Sequence, residues 1–317
     1  MKNIQYYIKS QKMRTPKRVV LVLVILFTVL SVEAQQDPQY TQYMYNTMSI
    51  NPAYAGSRGH LSISALARNQ WVGVDGAPDT QTFSVNAPVG YSRVGLGLNI
   101  INDKLGPSTE TYFDGNISYT ISTSSEGKFA FGMRLGGRVL SLDWSKGRFQ
   151  NPEAIFNNNI NNKFLPTLGA GVFFYKPNWY IGLSVPNFLR TEHYDDFIES
   201  VSAERLHYFL MAGYVFDLTE DIKFKPAILS KIVEGAPLSL DVSANFLFNE
   251  KFSLGTAYRF GDAISAIVGF QISERLTLGY AYDLTTSNYN NYNSGSHEVM
   301  LTYNIVEKVR LKCPRFF

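Results

Sequence analysis

Between about residue 60 and residue 309 the side chains alternate, apolar then polar, with a period of two. A β-strand places successive side chains on opposite faces, so this pattern specifies strands with one apolar and one polar face. In 275–284 one face reads Leu276, Leu278, Tyr280, Tyr282 and Leu284, and the other Arg275, Thr277, Gly279, Ala281 and Asp283. In 128–138, Phe129, Phe131, Met133 and Leu135 oppose Ala130, Gly132, Arg134, Gly136 and Arg138. No sustained 3.6-residue pattern competes with this alternation after residue 60.

Fourteen segments of this kind can be counted, from 60–69 to 297–307, with the sixth at 166–176 and the eighth at 204–217. An even count is what bacterial single-chain outer-membrane barrels show. The links sort by parity. Tight links such as Val89–Tyr91, Pro177-Asn178 and Ser273-Glu274 follow even segments, whereas the long links Asp143–Leu165, Asn187–Ala203 and Thr285–Ser296 follow odd ones. In an up-and-down barrel that parity gathers the long loops on one rim and the tight turns on the other.

Alternation alone also fits a soluble sandwich, whose apolar faces would meet in a dry core. Two features favour lipid. The polar faces mix small residues with charges (Arg134, Arg138, Asp241, Arg259, Asp283), which suits a wet lumen. Aromatics near strand ends (Tyr112, Tyr119, Tyr175, Trp179, Tyr180, Tyr208, Tyr258, Tyr282, Tyr303) suit interfacial girdles. The expected fold is all-β: a transmembrane antiparallel up-and-down β-barrel of about 14 strands over residues 60–317, in contact with outer-membrane lipid.

The N-terminus is built differently. Residues 19–30, VVLVLVILFTVL, follow Lys17-Arg18 and are short for a membrane span, which needs about 20 residues. Val32-Glu33-Ala34 fits a cleavage site before Gln35, so 1–34 reads as a signal peptide, with an uncleaved anchor as the alternative. The expected location is the outer membrane. Formal charge is +3, but 1–34 holds six basic side chains and one acid, leaving 23 basic against 25 acidic residues beyond it. Nothing there suits nucleic acid, which needs a basic face.

Residues 35–59 form an extension too rich in Tyr, Asn and Gln for a lipid-facing strand. Such a segment suits the inside of a wet barrel, packed in or at the lumen. Beyond the first strand, Trp71 at a rim, with Gly76 and Pro78 shaping the turn, reads as a fixed loop.

Chemistry is sparse. The one cysteine, Cys313, excludes an intramolecular disulfide framework, and the four histidines (His60, His193, His207, His297) stand apart in the sequence. No GxSxG elbow marks a nucleophile, and each His reads as a solvated polar side chain. No catalytic residue, metal site or cofactor is expected. The acidic stretch Glu192–Glu199 lacks EF-hand spacing and reads as a solvated loop. Asn157–Asn162 and Asn288–Asn293 are either adaptable contact surface or plain loop polarity. The closing Phe316-Phe317 is similar to the terminal aromatic of outer-membrane barrels.

Two motifs carry a family resemblance. The first comprises Asp37, Pro38, Gln39, Tyr40, Thr41, Gln42 and Tyr43, then Asn46, then Asn51, Pro52, Ala53, Tyr54, Ala55 and Gly56. The second comprises Arg68, Asn69, Gln70 and Trp71 followed by Gly76, Ala77, Pro78, Asp79 and Thr80. In this order and at this separation they resemble the PorP/SprF family, and the likeness extends over the mature chain. The resemblance implies an outer-membrane barrel of the type IX secretion system. Its partners would be components of that machinery and a secreted surface protein of adhesin type, which it helps to export or to attach. The motif residues would mark a structural and partner-contact region, with no individual role assigned. The alternatives are a passive porin or solute transporter plugged by 35–58, and a barrel enzyme.

Overall fold

The computed structural model describes residues 39–90, 93–147, 159–189, 205–233 and 235–305. The signal-peptide reading, motif residues Asp37 and Pro38, His193, the acidic stretch at 192–199, the start of the Asn run at 157–158, Cys313 and the terminal Phe pair lie outside them.

The alternating segments form one antiparallel sheet closed on itself. Its strands are β1 (Leu61–Asn69), β2 (Asp79–Pro88), β3 (Val94–Leu105), β4 (Ser108–Ser122), β5 (Lys128–Leu142), β6 (Ile160–Tyr175) and β7 (Trp179–Val185). There follow β8 (His207–Tyr214, resumed at Phe216–Asp217), β9 (Ile222–Val233), β10 (Ser239–Phe248), β11 (Phe252–Arg259), β12 (Ala263–Gln271), β13 (Leu276–Thr285) and β14 (Ser296–Ile305). Each strand pairs with its neighbours in sequence, and β1 closes the ring on β14 through Leu61↔Ile305 to Asn69↔His297. The result is a fourteen-stranded up-and-down barrel with no free edge to pair with another chain.

The faces separate as the alternation requires. On β5, Met133 and Leu135 are 58% and 72% exposed, whereas Arg134 between them is 5% exposed. Outward positions elsewhere carry Leu96, Leu98, Phe113, Ile117, Leu183, Phe270 and Leu301, all exposed, while Asn99, Asp114, Asp241, Asp283 and Glu298 are buried. An apolar exterior around a buried polar interior is the inverse of a soluble protein, and it matches a barrel bathed in hydrocarbon. No helix among the described residues is long and apolar enough to cross a membrane.

The strand ends that bound the longest links, 143–159, 186–206 and 286–295, lie at one rim with the 70–78 loop; those that bound 89–93, 123–127, 176–178, 218–221, 249–251 and 272–275 lie at the opposite rim. Leu61, which opens β1, and Ile305, which ends β14, both sit on the short-turn rim.

Three expectations need correction. The sixth strand begins at Ile160, not 166, and Pro166 lies within it opposite Gly137. Alternation is masked there by Asn161 and Asn162, and a proline reads as a boundary because it cannot donate to a ladder. The eighth strand is interrupted at Val215, but the register is unchanged on either side, with Gly213↔Ala227 and Phe216↔Phe224. The break sits beside Pro226 on β9, whose missing N–H removes a ladder bond. Finally, Tyr175 and Tyr180 are buried against Phe173, with ring centroids 5.3 and 5.7 Å apart, and Tyr112 shares the inward face of β4 with Asp114. These three tyrosines do not belong to a lipid-facing girdle, whereas Tyr119, Tyr208, Tyr258 and Tyr303 are exposed on the outer face.

Inside the ring runs the segment that precedes β1. Residues 40–55 are all buried, folded into two 3-10 turns, η1 (Thr47–Ser49) and η2 (Pro52–Tyr54). Pro52 at the first position of η2 has the φ that such a turn wants, and its missing N–H would be unpaired there anyway. This strap lies against the inward faces of strands on every side of the sheet.

Candidate functional site

The strap is bound by barrel side chains through its backbone, not only through its own residues. Arg134 donates from Nη2 to the carbonyls of Met48 and Ser49 at 2.8 and 2.7 Å, which occupies the C-terminal end of η1. The hydroxyls of Ser118 and Ser184 donate to the carbonyls of Ala55 and Ile50 at 2.7 and 3.0 Å. A buried carbonyl without a partner costs roughly 1–3 kcal/mol, so these contacts are what make an irregular segment tolerable inside the ring. Asn51 accepts the amide of Ala53 at 3.0 Å and donates to the Val172 carbonyl at 3.0 Å, which caps η2 and fastens it to β6.

The barrel wall is recessed where the strap passes. A Cβ at Gly132 would stand 2.1 Å from the Ala53 nitrogen, one at Gly97 would stand 2.1 Å from the Met48 sulfur, and one at Gly171 would stand 2.2 Å from Asn51 Oδ1. Gly56, at φ +69°, turns the strap beside Gly95, whose Cα lies 2.7 Å from the position a Gly56 Cβ would take. Tyr54 meets Phe173 edge to face at 5.5 Å, and its hydroxyl accepts from Arg58 Nε at 3.2 Å. Beside the strap lies a cavity of about 60 Å³ bordered by Tyr40, Ile50, Tyr112 and Arg134, room for a few waters.

At the long-loop end the two motifs meet. Glu298, fully buried, accepts from the amides of Thr41 and Gln42 at 2.9 and 2.8 Å. Thr41 Oγ1 donates to Asp283 at 2.8 Å. Arg68 from the second motif closes the group, 3.0 Å from Glu298 and 2.6 Å from Asp283, and also donates to Thr41 Oγ1. One guanidinium thus joins β1 to β13 and β14, and joins all three to the strap. Tyr40 pairs with Thr82 at 3.0 Å, and Gln39 donates to Ser239 at 3.1 Å. Tyr43 and Asn46 are buried in the same packing.

The rest of the second motif builds the rim. Gln70 donates through its amide to the Pro78 carbonyl, closing the 70–78 loop. Trp71 takes φ +47°, a strained value for a residue with a Cβ. Its amide donates to Ser296 Oγ at 3.2 Å, and its ring stacks on Tyr289 at 5.5 Å and 10°. Val72 and the 286–295 loop exchange two backbone bonds, Val72 N–H to Gly295 O and Ser294 N–H to Val72 O. Gly76, at φ +74°, accepts from the Gly106 amide and so ties in the β3–β4 turn. The surface presented there includes exposed Val72, Val74, Tyr289 and Tyr292.

The structure therefore brings Gln39, Tyr40, Gln42, Tyr43, Asn46, Asn51, Pro52, Tyr54, Gly56 and Arg68 into one interior assembly, and Gln70, Trp71, Gly76 and Pro78 into one rim loop. Asp283, Glu298, Arg134 and Tyr289 complete these groups, although no motif marks them. Of the histidines, His207 is buried on the inward face and His297 bonds to the Tyr280 hydroxyl at 2.7 Å. Among the described residues no cluster of three or more His, Cys, Asp or Glu could hold a metal ion.

The family model of the type IX secretion system membrane protein PorP/SprF matches residues 32–303. The chain belongs to the PorP/SprF family. The match covers the strap and all but the last two residues of β14, so the motifs and the closed sheet are parts of one PorP/SprF barrel. Its membrane-barrel fold and secretion family indicate the outer membrane. No curated protein matches it. Among solved structures it is similar to the outer membrane protein Omp33 of Acinetobacter baumannii (7% identity, 78% of this chain and 98% of that one, TM-score 0.47). It is also similar to the toluene transporter TbuX of Ralstonia pickettii (10% identity, 82% and 93%, TM-score 0.48). A FadL homologue of Pseudomonas aeruginosa gives 11% identity, 84% and 95%, and TM-score 0.44. Likeness at that level carries no functional argument.

Proposed function

We propose that this PorP/SprF barrel is a non-enzymatic docking protein. In this reading it receives a secreted, adhesin-type partner at its long-loop rim and supports that partner's export or attachment alongside type IX machinery components. Residues 1–34 serve as a leader cleaved before Gln35, 35–59 as a lumen-filling segment and 60–317 as the outer-membrane barrel. The observation that carries the reading is the division of labour between the motifs. One spends its residues on filling the interior; the other spends a strained tryptophan and two loop-to-loop backbone bonds on fixing a rim that exposes Val72, Val74 and two tyrosines. Rigid aromatic and apolar groups on a pre-formed surface are what protein partners use as anchors, because little entropy is lost on binding.

A passive porin would need a continuous water path, and the strap buried inside the ring at residues 40–55 favours the docking reading. The test is co-purification of surface proteins with the wild type and with Trp71→Ala, after checking that both give heat-modifiable barrels. Loss of the partner in the variant supports the reading. An intact complex would reduce Trp71 to a loop-building role, and no surface protein in either sample would sink the docking proposal.

A further inference from the structure

The outer wall is notched across β7–β10. The register sets Ala212 of β8 between two isoleucines, Ile181 on β7 and Ile228 on β9, and places Val242 of β10 beyond Ile228. All four lie on the outward face, and Ile181, Ile228 and Val242 are exposed there. Ala212 ends at its Cβ, so its neighbours stand as walls over a low floor. One step nearer the short-turn rim, Trp179 pairs with Tyr214, just before β8 is interrupted at Val215. The result is an open groove of about 550 Å³ whose lining is apolar or aromatic throughout. Its size falls within the roughly 300–1,000 Å³ of small-ligand sites.

We propose that this groove holds one phospholipid, with an acyl chain on the Ala212 floor and the ester or phosphate oxygens at the Trp179–Tyr214 end. The position of the groove selects that occupant. It is continuous with the hydrocarbon-facing wall: Leu183 and Leu210, paired directly beyond it, are both exposed on the same face. Whatever fills it therefore comes from the bilayer, and a lining left bare on one side would forfeit dispersion contacts. The polar end is furnished as well. Asn178 Nδ2 donates to the Tyr214 hydroxyl oxygen at 3.1 Å, which leaves the hydroxyl hydrogen to donate to an ester or phosphate oxygen. Trp179 adds an indole N–H, a donor only. Aromatic side chains with one polar atom are those favoured at the headgroup level. Short turns mark the periplasmic side of an outer-membrane barrel, so the source is the phospholipid of the inner leaflet. The site is separate from the long-loop rim, and its failure would leave the docking reading untouched.

The test is a count, by native mass spectrometry, of phospholipid retained by the full-length protein after purification and extensive washing in mild detergent. Ala212→Phe fills the floor, whereas Ala266→Phe adds the same ring to the outward face of β12, away from the groove. Tyr214→Phe removes only the hydroxyl. Each variant is checked for heat modifiability, and Ala212→Leu takes the place of Ala212→Phe if the latter does not fold. The expected result is one phospholipid on the wild type and on Ala266→Phe, a severalfold loss in Ala212→Phe, and release from Tyr214→Phe at a lower detergent concentration than from the wild type. Equal retention by the wild type and the floor-filling variant would overturn the site. So would a wild type that keeps no phospholipid, or that keeps lipopolysaccharide in its place. Wild-type retention by Tyr214→Phe would overturn the placement of the headgroup.

Discussion

Arg68 shows how little separates a family motif from a structural necessity. It sits buried at 2% exposure between two carboxylates, and its charge is affordable only because both are there. A buried ion pair adds little net stability, but removing one partner strands the other in a poor dielectric. Arg68→Ala is therefore expected to lower unfolding stability by about 3–5 kcal/mol, read as a shift in the urea midpoint of the folded barrel. Replacing Arg68, Asp283 and Glu298 together by apolar residues of similar size should recover part of that loss. Arg68 itself stands out in the sequence because it belongs to a recognisable run. Its partners do not, since they lie more than 200 positions away and only the closed register brings them together. A second residue gives a pH dependence. His60, just before β1 and bonded to Asn304 at 3.2 Å, has its protonation disfavoured by partial burial, with Arg58 nearby adding to the effect. Below about pH 6.5 the unfolded chain then binds more protons than the folded one. Stability is full above that value and declines as pH falls through it. His60→Gln should flatten the decline in a denaturant midpoint measured from pH 7.5 to 5; an unchanged slope would assign the dependence to other groups.

At the scale of elements, strand identity was legible wherever alternation was clean, because a period of two follows from backbone geometry alone. It failed locally where sequence chemistry and pairing disagree. Asn161 and Asn162 have low strand preference, yet β5 is long enough to template β6 up to Ile160. Tyr175 and Tyr180 are amphipathic enough for either face, and only the packing around Phe173 decides. The rim loops are elements too. The 286–295 loop contains a 3-10 turn at Asn288–Asn291, supplies Tyr289 to the Trp71 stack and pairs with Val72. Deleting Asn288–Asn293 is expected to leave the β13–β14 ladder and heat modifiability intact while reducing the amount of partner displayed on cells, scored by surface immunolabelling. Undiminished display would remove that loop from the docking surface.

For the molecule as a whole, two opposite requirements are met by one alternation. Outward apolar residues satisfy hydrocarbon, and inward polar residues satisfy a strap that would otherwise leave buried carbonyls unpaired. That Arg134, Ser118 and Ser184 serve the backbone of residues 48–55, and that Gly132 and Gly97 make room for it, was not readable from composition. Such complementarity exists only once the ring has closed. On the proposed reading this barrel serves as a sealed platform and not as a conduit. The most direct test is small-solute efflux from liposomes containing the purified wild-type protein, beside the same preparation of Gly132→Val, which crowds the strap at Ala53. The expected result is no efflux above empty liposomes for the wild type and measurable efflux for the variant; rapid efflux through the wild type would contradict the account.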